Sequence, residues 1–325
     1  MKILITGAFG NVGTSVLHEI NLDQHQIRCF DLDTPKTRKI AARYKGKVEV
    51  VWGDVRRLED VQKAVKDCDV VMHLIAIIPP RSIAEPELTR SINVGGTKNV
   101  LAAIKAMPNP ARLIYSSSLA LFGQTQHMPP PRTLNDPIQI TDVYTETKAE
   151  CERLIKESGV TCAILRFAAV LPLDILNTID PLMFEVPPTD RSEFVHTHDV
   201  GLALVNAAQS EAVWGKTLLI GGGKRCQFLQ RELVARPMEA LGLGALPDSA
   251  FTTVPYHLDW LDTTESQELL QYQRYTLDDY IRNVLVVVGW RRPFVRLLRP
   301  LIRRSLLSRS PYYRKASAPQ KVQPA

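Results

Sequence analysis

A doubly wound, parallel α/β sheet with a smaller C-terminal lobe is the fold class this sequence predicts, and two observations carry it. Short apolar runs rich in Val, Ile and Leu alternate with amphipathic segments over the first half of the chain. Those runs lack a clean in–out alternation, as strands covered on both faces do. A β-α-β-α series of this kind closes as a parallel sheet, and right-handed crossovers place helices on both of its faces.

In chain order the expected strands are "KILIT" (2–6), "IRCFD" (27–31), "VEVVWG" (48–53), "DVVMHLIA" (69–76), "RLIYSSS" (112–118) and "CAILRF" (162–167). Between them, helices are expected at 11–20, 36–44, 58–67, 86–107 and 142–158. After Arg166 the pattern loosens into an apolar, Pro-punctuated stretch without a strong period. A helix at 199–209 and a strand at 216–223 return to the sheet, and 224–280 suggest two or three helices and a short strand. The expected organisation is a core over 1–166, rejoined by 199–223. A lobe follows from 167–198 and 224–280, then a tail over 281–325 whose last ten residues, "ASAPQKVQPA", read as disordered.

With 45% hydrophobic and 23% charged residues, the chain can bury a sizeable core. No apolar run of about 18 residues occurs, which argues against a spanning helix. The first residues lead straight into a strand, without the charged and apolar regions of a secretory leader. Five cysteines (Cys29, Cys68, Cys151, Cys162, Cys226) are scattered and never in C-x-x-C spacing. No H-E-x-x-H occurs among the seven histidines. These features imply a reduced, cytoplasmic protein with no metal site. The net charge of +6 is uneven: residues 280–325 hold 11 Lys and Arg and no Asp or Glu, whereas the rest of the chain is mildly acidic.

"ITGAFGNVG" sets Gly7, Gly10 and Gly13 between the first strand and the first helix. Glycines there allow a tight turn and let backbone N–H groups reach a pyrophosphate at the helix N-terminus. The spacing is G-x-x-G-x-x-G, one residue longer than the common G-x-G-x-x-G. Asp31 ends the second strand, where a carboxylate accepts hydrogen bonds from an adenosine ribose and repels a 2′-phosphate, favouring NAD over NADP. Asp33 is an alternative, and Lys36 and Arg38 lie close by. Asp54 in "GDV" is placed either to bond an adenine edge or to cap a helix.

"YTETK" puts Tyr144 and Lys148 one helical turn apart. Helical positions i and i+4 meet in any case, but this pair has a chemical use. A free phenol titrates near pH 10 and a lysine near 10.4, so neither serves alone at neutral pH. An ammonium within about 4–6 Å favours phenolate and is expected to lower the tyrosine pKa.

"TGAFGNVG", "GDV", "HLIA", "NVGGTKNVL", "YSSSLALFG", "YTETK", "LRFAAV" and "EFVHTHDV" together resemble the extended short-chain dehydrogenase/reductases, the NAD-dependent epimerase/dehydratase family, over about residues 1–280. The resemblance implies a Rossmann-type core with a C-terminal substrate lobe. It implies Tyr144 as acid/base, with Lys148 tuning it and bonding the nicotinamide ribose. It also implies a serine at the end of the fifth strand to hold the substrate oxygen: Ser118, with Ser117 as runner-up. Asn93 takes a supporting role or caps the following helix. Cofactor contacts are expected from Gly7, Phe9, Gly10, Asn11, Val12, Gly13, Asp31, Asp54, Val55, Leu74, Ile75 and Ala76, with Tyr144 and Lys148. His73 is expected to touch cofactor through its backbone, and His196 and Asp199 to be largely structural. Phe167 and Arg191 are expected at the substrate.

Two features depart from family members that act on nucleotide sugars. Ala168 and Ala169 stand where those members usually carry Asn-Pro or Gly-Pro. The segment up to His196 is short and apolar, through Phe167, Val170, Leu171, Leu173, Ile175, Leu182, Met183 and Phe184. A diphosphate needs cationic or N–H partners, and Arg191 is the main candidate there. Three readings follow: an NAD-dependent oxidoreductase on a less polar secondary alcohol or ketone, a nucleotide-sugar epimerase or dehydratase that cycles its NAD, or a non-catalytic NAD-binding sensor or assembly factor. A homodimer through the helices at 86–107 and 142–158 would suit the family.

The tail, "WRRPFVRLLRPLIRRSLLSRS" (290–310), is amphipathic if helical. Phe294, Leu297, Leu298, Leu301, Ile302 and Leu306 share one face; Arg292, Arg296, Arg299 and Arg303 fall on another, and Pro300 should kink it. Such a segment suits peripheral contact with an anionic membrane surface or packing on the body or a partner. Base-stacking aromatics do not interleave its arginines, which argues against nucleic acid.

Overall fold

The computed structural model describes residues 1–174 and 181–316. Alternate residues of β1 (Lys2–Thr6) feed two different cores: Ile3 and Ile5 pack into one, Leu4 into the other. That double burial is why the run is apolar throughout rather than alternating. With β2 (Gln26–Asp31), β3 (Glu49–Trp52), β4 (Val70–His73), β5 (Arg112–Ser118) and β6 (Cys162–Phe167), it forms a parallel sheet. A later strand, Thr217–Ile220, completes the seven strands at the β6 edge. The order is β3-β2-β1-β4-β5-β6 and then that last strand. The chain leaves β1 in one direction and returns on its other side at β4, so the topological switch lies between them.

A second, three-stranded sheet was not expected. It contains β7 (Ala169–Leu171), β8 (Arg191–His196) and β10 (Gln227–Leu229); Thr217–Ile220 is β9. β8 pairs parallel with β7 and antiparallel with β10. Its residues hid it from a hydrophobicity reading, because Ser192, Glu193 and His196 are buried and polar. Each is satisfied internally: Ser192 Oγ donates to Gln230, and Glu193 accepts from the backbone N–H groups of Gly223 and Leu261.

The helices expected over the first half are present, with one change. The segment expected at 86–107 runs as Pro86–Arg90, a wide π turn at Ser91–Gly95, and Gly96–Lys105. Asn93 therefore lies inside a continuous helix and does not cap it. The helix Asn11–Glu19 packs directly on Thr197–Gln209, and Gly201 permits that contact: a Cβ there would come 2.4 Å from the Ser15 carbonyl oxygen.

The tail also differs. Helices Arg292–Leu297 and Arg299–Arg309 meet at Leu298, ahead of the expected kink. Pro300 stands in the first turn of the second helix, where its missing N–H costs nothing. The expected apolar face divides: Leu306 is buried and Ile302 packs on the lobe core, whereas Phe294, Leu297, Leu298 and Leu301 are exposed. Among the described residues, no helix is long and apolar enough to cross a membrane. Ile175, and everything after Ala316 in the terminal segment expected to be disordered, lie outside the described residues.

Gly201→Ala should force apart two helices whose backbones touch, lowering the unfolding free energy by about 1–3 kcal/mol. Urea denaturation checks this; an unchanged midpoint would mean that the helices have room to move.

Candidate active site

The loop after β1 is shaped by what it cannot hold. Gly7 has a φ of +70°, its N–H bonds the Phe30 carbonyl at 2.8 Å, and a Cβ on it would lie 3.2 Å from Ile75 Cγ1. A Cβ on Gly13 would fall 2.3 Å from the Gly7 oxygen. The helix Asn11–Glu19 starts at Gly10 with no side-chain cap and no acidic residue in its first turn. The positive end of its dipole and its free N–H groups at Asn11, Val12 and Gly13 are therefore available to an anion. Val12 is half-buried against the core, and Asn11 is exposed.

Asp31 closes this loop from the next strand. One carboxylate oxygen accepts the Phe9 N–H at 2.9 Å, the other the Leu32 N–H at 2.8 Å. Burial raises its pKa, and those two bonds oppose the rise. Phe9 lies against Trp52, with ring centroids 5.6 Å apart. Asp33, the alternative, is paired with Arg38. Asp54 accepts the Arg56 backbone N–H and its guanidinium, which hold its carboxyl below the ordinary range. Val55 is buried against Gly96. Leu74, Ile75 and Ala76 follow β4 as loop, and the Leu74 N–H bonds Thr6 Oγ1 at 3.1 Å. A glycine cradle under an uncapped helix, with a carboxylate at the end of β2, fits a dinucleotide.

The helix Val143–Glu157 opens on a capping box between Asp142 and Thr145, which fixes its first turn. Tyr144 and Lys148 follow, both buried. The Lys148 ammonium donates to the Ser116 carbonyl at 2.6 Å; it lies 4.6 Å from the Tyr115 ring centroid and 6.0 Å from that of Tyr144. The Ser118 hydroxyl accepts the Ala120 N–H at 3.2 Å and lies close enough to the Tyr144 phenol to lower its pKa. Ser117, one residue earlier, turns to the opposite face of β5 and donates to Glu152 at 2.6 Å. Glu152 in turn takes a two-pronged bond from Arg166, at 2.9 and 2.8 Å.

The expected depression of the Tyr144 pKa is not what this arrangement gives. Burial dominates and pushes the phenol up to about 12, against the Ser118 hydrogen bond that lowers it. The same burial brings Lys148 down to about 8. Desolvation favours the uncharged form of each group; for Lys148 it outweighs the nearby Cys151 and Glu152, which favour the ammonium.

Asn93 bridges two walls of the site. Its carbonyl accepts the Ile77 N–H at 2.8 Å, and its amide donates to the Ile77 carbonyl and to Thr147, both at 3.1 Å. Thr147, inside "YTETK", is the partner that a sequence reading passes over. The His73 ring is enclosed between Thr6 Oγ1 (2.8 Å) and Thr97 Oγ1 (3.2 Å), while its carbonyl accepts Ser116 Oγ. Phe167 is buried at the end of β6, in register with Ser118. Arg191, expected at the substrate, turns inward instead. Its guanidinium meets Asp259 at 2.7 and 3.0 Å and donates to the carbonyls of Thr125, Gln126 and Met128. His196 caps its helix and stacks on Tyr275, and Asp199 accepts the backbone N–H groups of Arg274 and Tyr275.

A cluster that sequence spacing does not reveal joins His18, Glu19 and His198, with both rings within 3.4 Å of the Glu19 carboxylate. Arg274 already pairs with that carboxylate at 2.9 Å, so its charge is balanced without an ion.

Residues 3–172 match the model of the NAD dependent epimerase/dehydratase family, and the chain belongs to that family. Among curated relatives, a 3-beta-hydroxysteroid dehydrogenase of Mycolicibacterium neoaurum is 29% identical over 50% of this chain and 46% of its own length. The human short-chain dehydrogenase/reductase family 42E member 1 is 26% identical over 64% and 58%, respectively. The chain thus spans about half the length of these relatives. A D-erythronate dehydrogenase of Haemophilus influenzae is 29% identical over 89% of this chain and 90% of its own. In overall fold the chain is similar to a short-chain dehydrogenase/reductase superfamily protein from Agrobacterium tumefaciens crystallised with NAD. That similarity has a TM-score of 0.73 at 18% identity and covers 93% of this chain and 100% of that one.

His73 offers a check on the site's burial. Its pKa is lowered from 6.5 to about 3 by burial, with the Lys148 charge adding to the effect. Between those values the unfolded chain binds a proton that the folded chain refuses, so stability falls as pH falls below about 6.5. Urea-unfolding free energies should drop by up to about 1.4 kcal/mol per pH unit from this residue alone. His73→Gln should flatten the slope by that amount whatever its cost at neutral pH. An equally steep slope in the variant would mean that the folded ring titrates normally.

Proposed function

We propose that this protein is an NAD-dependent oxidoreductase that interconverts a secondary alcohol and a ketone of low polarity. The observation that carries the reading is the buried Tyr144 phenol beside Ser118 at the carboxyl end of β5, where the serine hydroxyl opposes the rise in the phenol's pKa, with Lys148 one helical turn behind it. NAD, held by Gly7, Gly10, Gly13 and the Asp31 carboxylate, supplies the acceptor for a hydride and, when oxidised, a positive charge. Asp31 favours it over NADP, because its carboxylate stands where a 2′-phosphate would be.

In alcohol oxidation Tyr144 takes the hydroxyl proton as the carbon gives up its hydride; in ketone reduction it returns that proton. Ser118 holds the substrate oxygen within reach of the phenol. Lys148 is drawn towards its neutral form by burial and is kept in place by the Ser116 carbonyl, so its ammonium responds to charges brought in beside it. Asn93 and Thr147 position the helix that carries the pair against the loop after β4.

Three things support a substrate without a diphosphate. Arg191 has its guanidinium committed to Asp259 and to carbonyls. Ala168 and Ala169 follow β6 where a polar contact would be needed. A relative that matches 89% of this chain is named for D-erythronate and another for a hydroxysteroid, neither of which carries a diphosphate.

NADH absorbance during incubation of the protein with secondary alcohols and with sugar nucleotides tests this. Net NADH from an alcohol is expected, and sugar-nucleotide turnover without net NADH would overturn it in favour of an epimerase. Tyr144→Phe should lower kcat by about 10²–10⁴ with NAD affinity retained. Lys148→Met should shift the rising limb of the pH–rate profile for oxidation to higher pH, because it removes a charge that favours the phenolate. A limb that does not move would remove Lys148 from its tuning role.

A further inference from the structure

The last helices carry two features that the proposed chemistry does not use. Val286, Trp290, Phe294, Leu297 and Leu301 recur every three or four residues from the helix Leu277–Val288 to the helix Arg299–Arg309. Trp290 is 79% exposed, Leu297 76% and Leu301 65%. The Trp290 and Phe294 rings meet edge to face, with centroids 5.9 Å apart. This patch is not a loose end. Val295 and Leu306 are buried in the lobe core, and Ile302 and Leu307 pack on it. Arg299 donates to the Leu243 carbonyl at 3.2 Å; Arg303 donates to those of Leu243, Gly244 and Ala245 at 2.7–2.9 Å. The helices are bolted to the body by one side and show apolar side chains on the other.

The second feature is a run of arginines on these helices, three of which, Arg299, Arg303 and Arg304, line a cleft with Pro300, Leu307, Ser308 and Tyr313. Ion pairs among the described residues involve none of Arg291, Arg292, Arg296, Arg299, Arg303 and Arg304. No Asp or Glu occurs after Asp279. A large exposed aromatic and aliphatic patch on a soluble surface marks an interaction site. Uncompensated cations beside it select what it meets.

We propose that this face docks on an anionic lipid bilayer. Trp290, Phe294, Leu297 and Leu301 enter the boundary between headgroups and acyl chains, and the exposed Arg296 and Arg304 meet anionic headgroups. The chemistry fits from both sides, since each arginine held near such a surface raises partitioning roughly fivefold. A second copy of this chain fits less well: a two-fold contact through this face would bring like-charged clusters together with no carboxylate in the segment to offset them.

Flotation of the full chain with vesicles tests this. Binding is expected to equimolar phosphatidylglycerol and phosphatidylcholine, with a blue shift of tryptophan emission that Trp290→Phe abolishes. Vesicles of phosphatidylcholine alone should bind at least tenfold more weakly. Raising salt from about 0.1 M to about 1 M should weaken anionic binding as the Debye length shortens from about 10 to about 3 Å. The double variant Phe294→Ser/Leu297→Ser should lose flotation while keeping its turnover of soluble substrate, which separates this proposal from the catalytic one. Two results would overturn it: no flotation with anionic vesicles, or a dimer in sedimentation that the same double variant dissociates while vesicles leave the wild-type chain unbound.

Discussion

Burying the Lys148 ammonium is the constraint around which the site is organised. A cation out of water needs fixed partners, and the sheet provides them: the Ser116 carbonyl at 2.6 Å and the face of the Tyr115 ring. Both partners belong to β5, so the helix carrying Lys148 must lie across the carboxyl end of that strand. Tyr144, one turn earlier, is then brought to Ser118. For both the lysine and the tyrosine, the protein groups that favour the charged form are outweighed by burial. Burial moves each towards neutrality, and the balance is left open to whatever charge enters beside them.

Strand alternation divides the serines of β5 between the two faces of the sheet. Ser117 faces inward to Glu152, which Arg166 of β6 holds with two hydrogen bonds. This buried group ties the helix Val143–Glu157 to two strands at once. Ser116 and Ser118 face the other way, one meeting the carbonyl of His73 and the other the phenol. On the β4 side, the π turn aims Asn93 at Ile77 and Thr147, so the loop after β4 and the helix Val143–Glu157 share one anchor. The glycine loop closes on the same place, since Gly7 leaves room for Ile75 alone. The two loops at the topological switch are thus in register with the Tyr144 helix.

Much of this was legible in the sequence because it rests on local rules. The six early strands, the glycine cradle, Asp31 at a strand end and the i, i+4 pair all follow from periodicity, turn chemistry and helical geometry. What escaped depends on partners distant in the chain. β8 was missed because its buried Ser192, Glu193 and His196 are satisfied by residues such as Gln230, Gly223 and Asn283. Arg191 read as a free cation because Asp259, its partner, is 68 residues away. The π turn keeps a helical hydrophobic pattern and leaves no mark in it. The direction of the Tyr144 shift could not be read either, since the depth of burial is a property of the assembled fold. The tail's apolar face looked single on a helical wheel, but only the lobe's shape decides that Leu306 faces in and Leu301 out.

The distribution of charge in the lobe bears on what the site accepts. Asp259 is shared by Arg132 and Arg191, whose guanidinia are held over the segment 125–136. Glu193 spends its carboxylate on Gly223, Leu261 and Gln227. These groups act as struts: each is paired within the lobe, and turning one towards a ligand would leave its partner buried and unpaired, at a cost of several kcal/mol. Recruiting Arg191 to a diphosphate would therefore leave Asp259 with Arg132, Thr125 and the Trp260 N–H, and release three backbone carbonyls. That penalty is absent for a substrate held through one hydroxyl and apolar contact. On the proposed reading, these pairings weigh against Arg191 as the partner of a diphosphate.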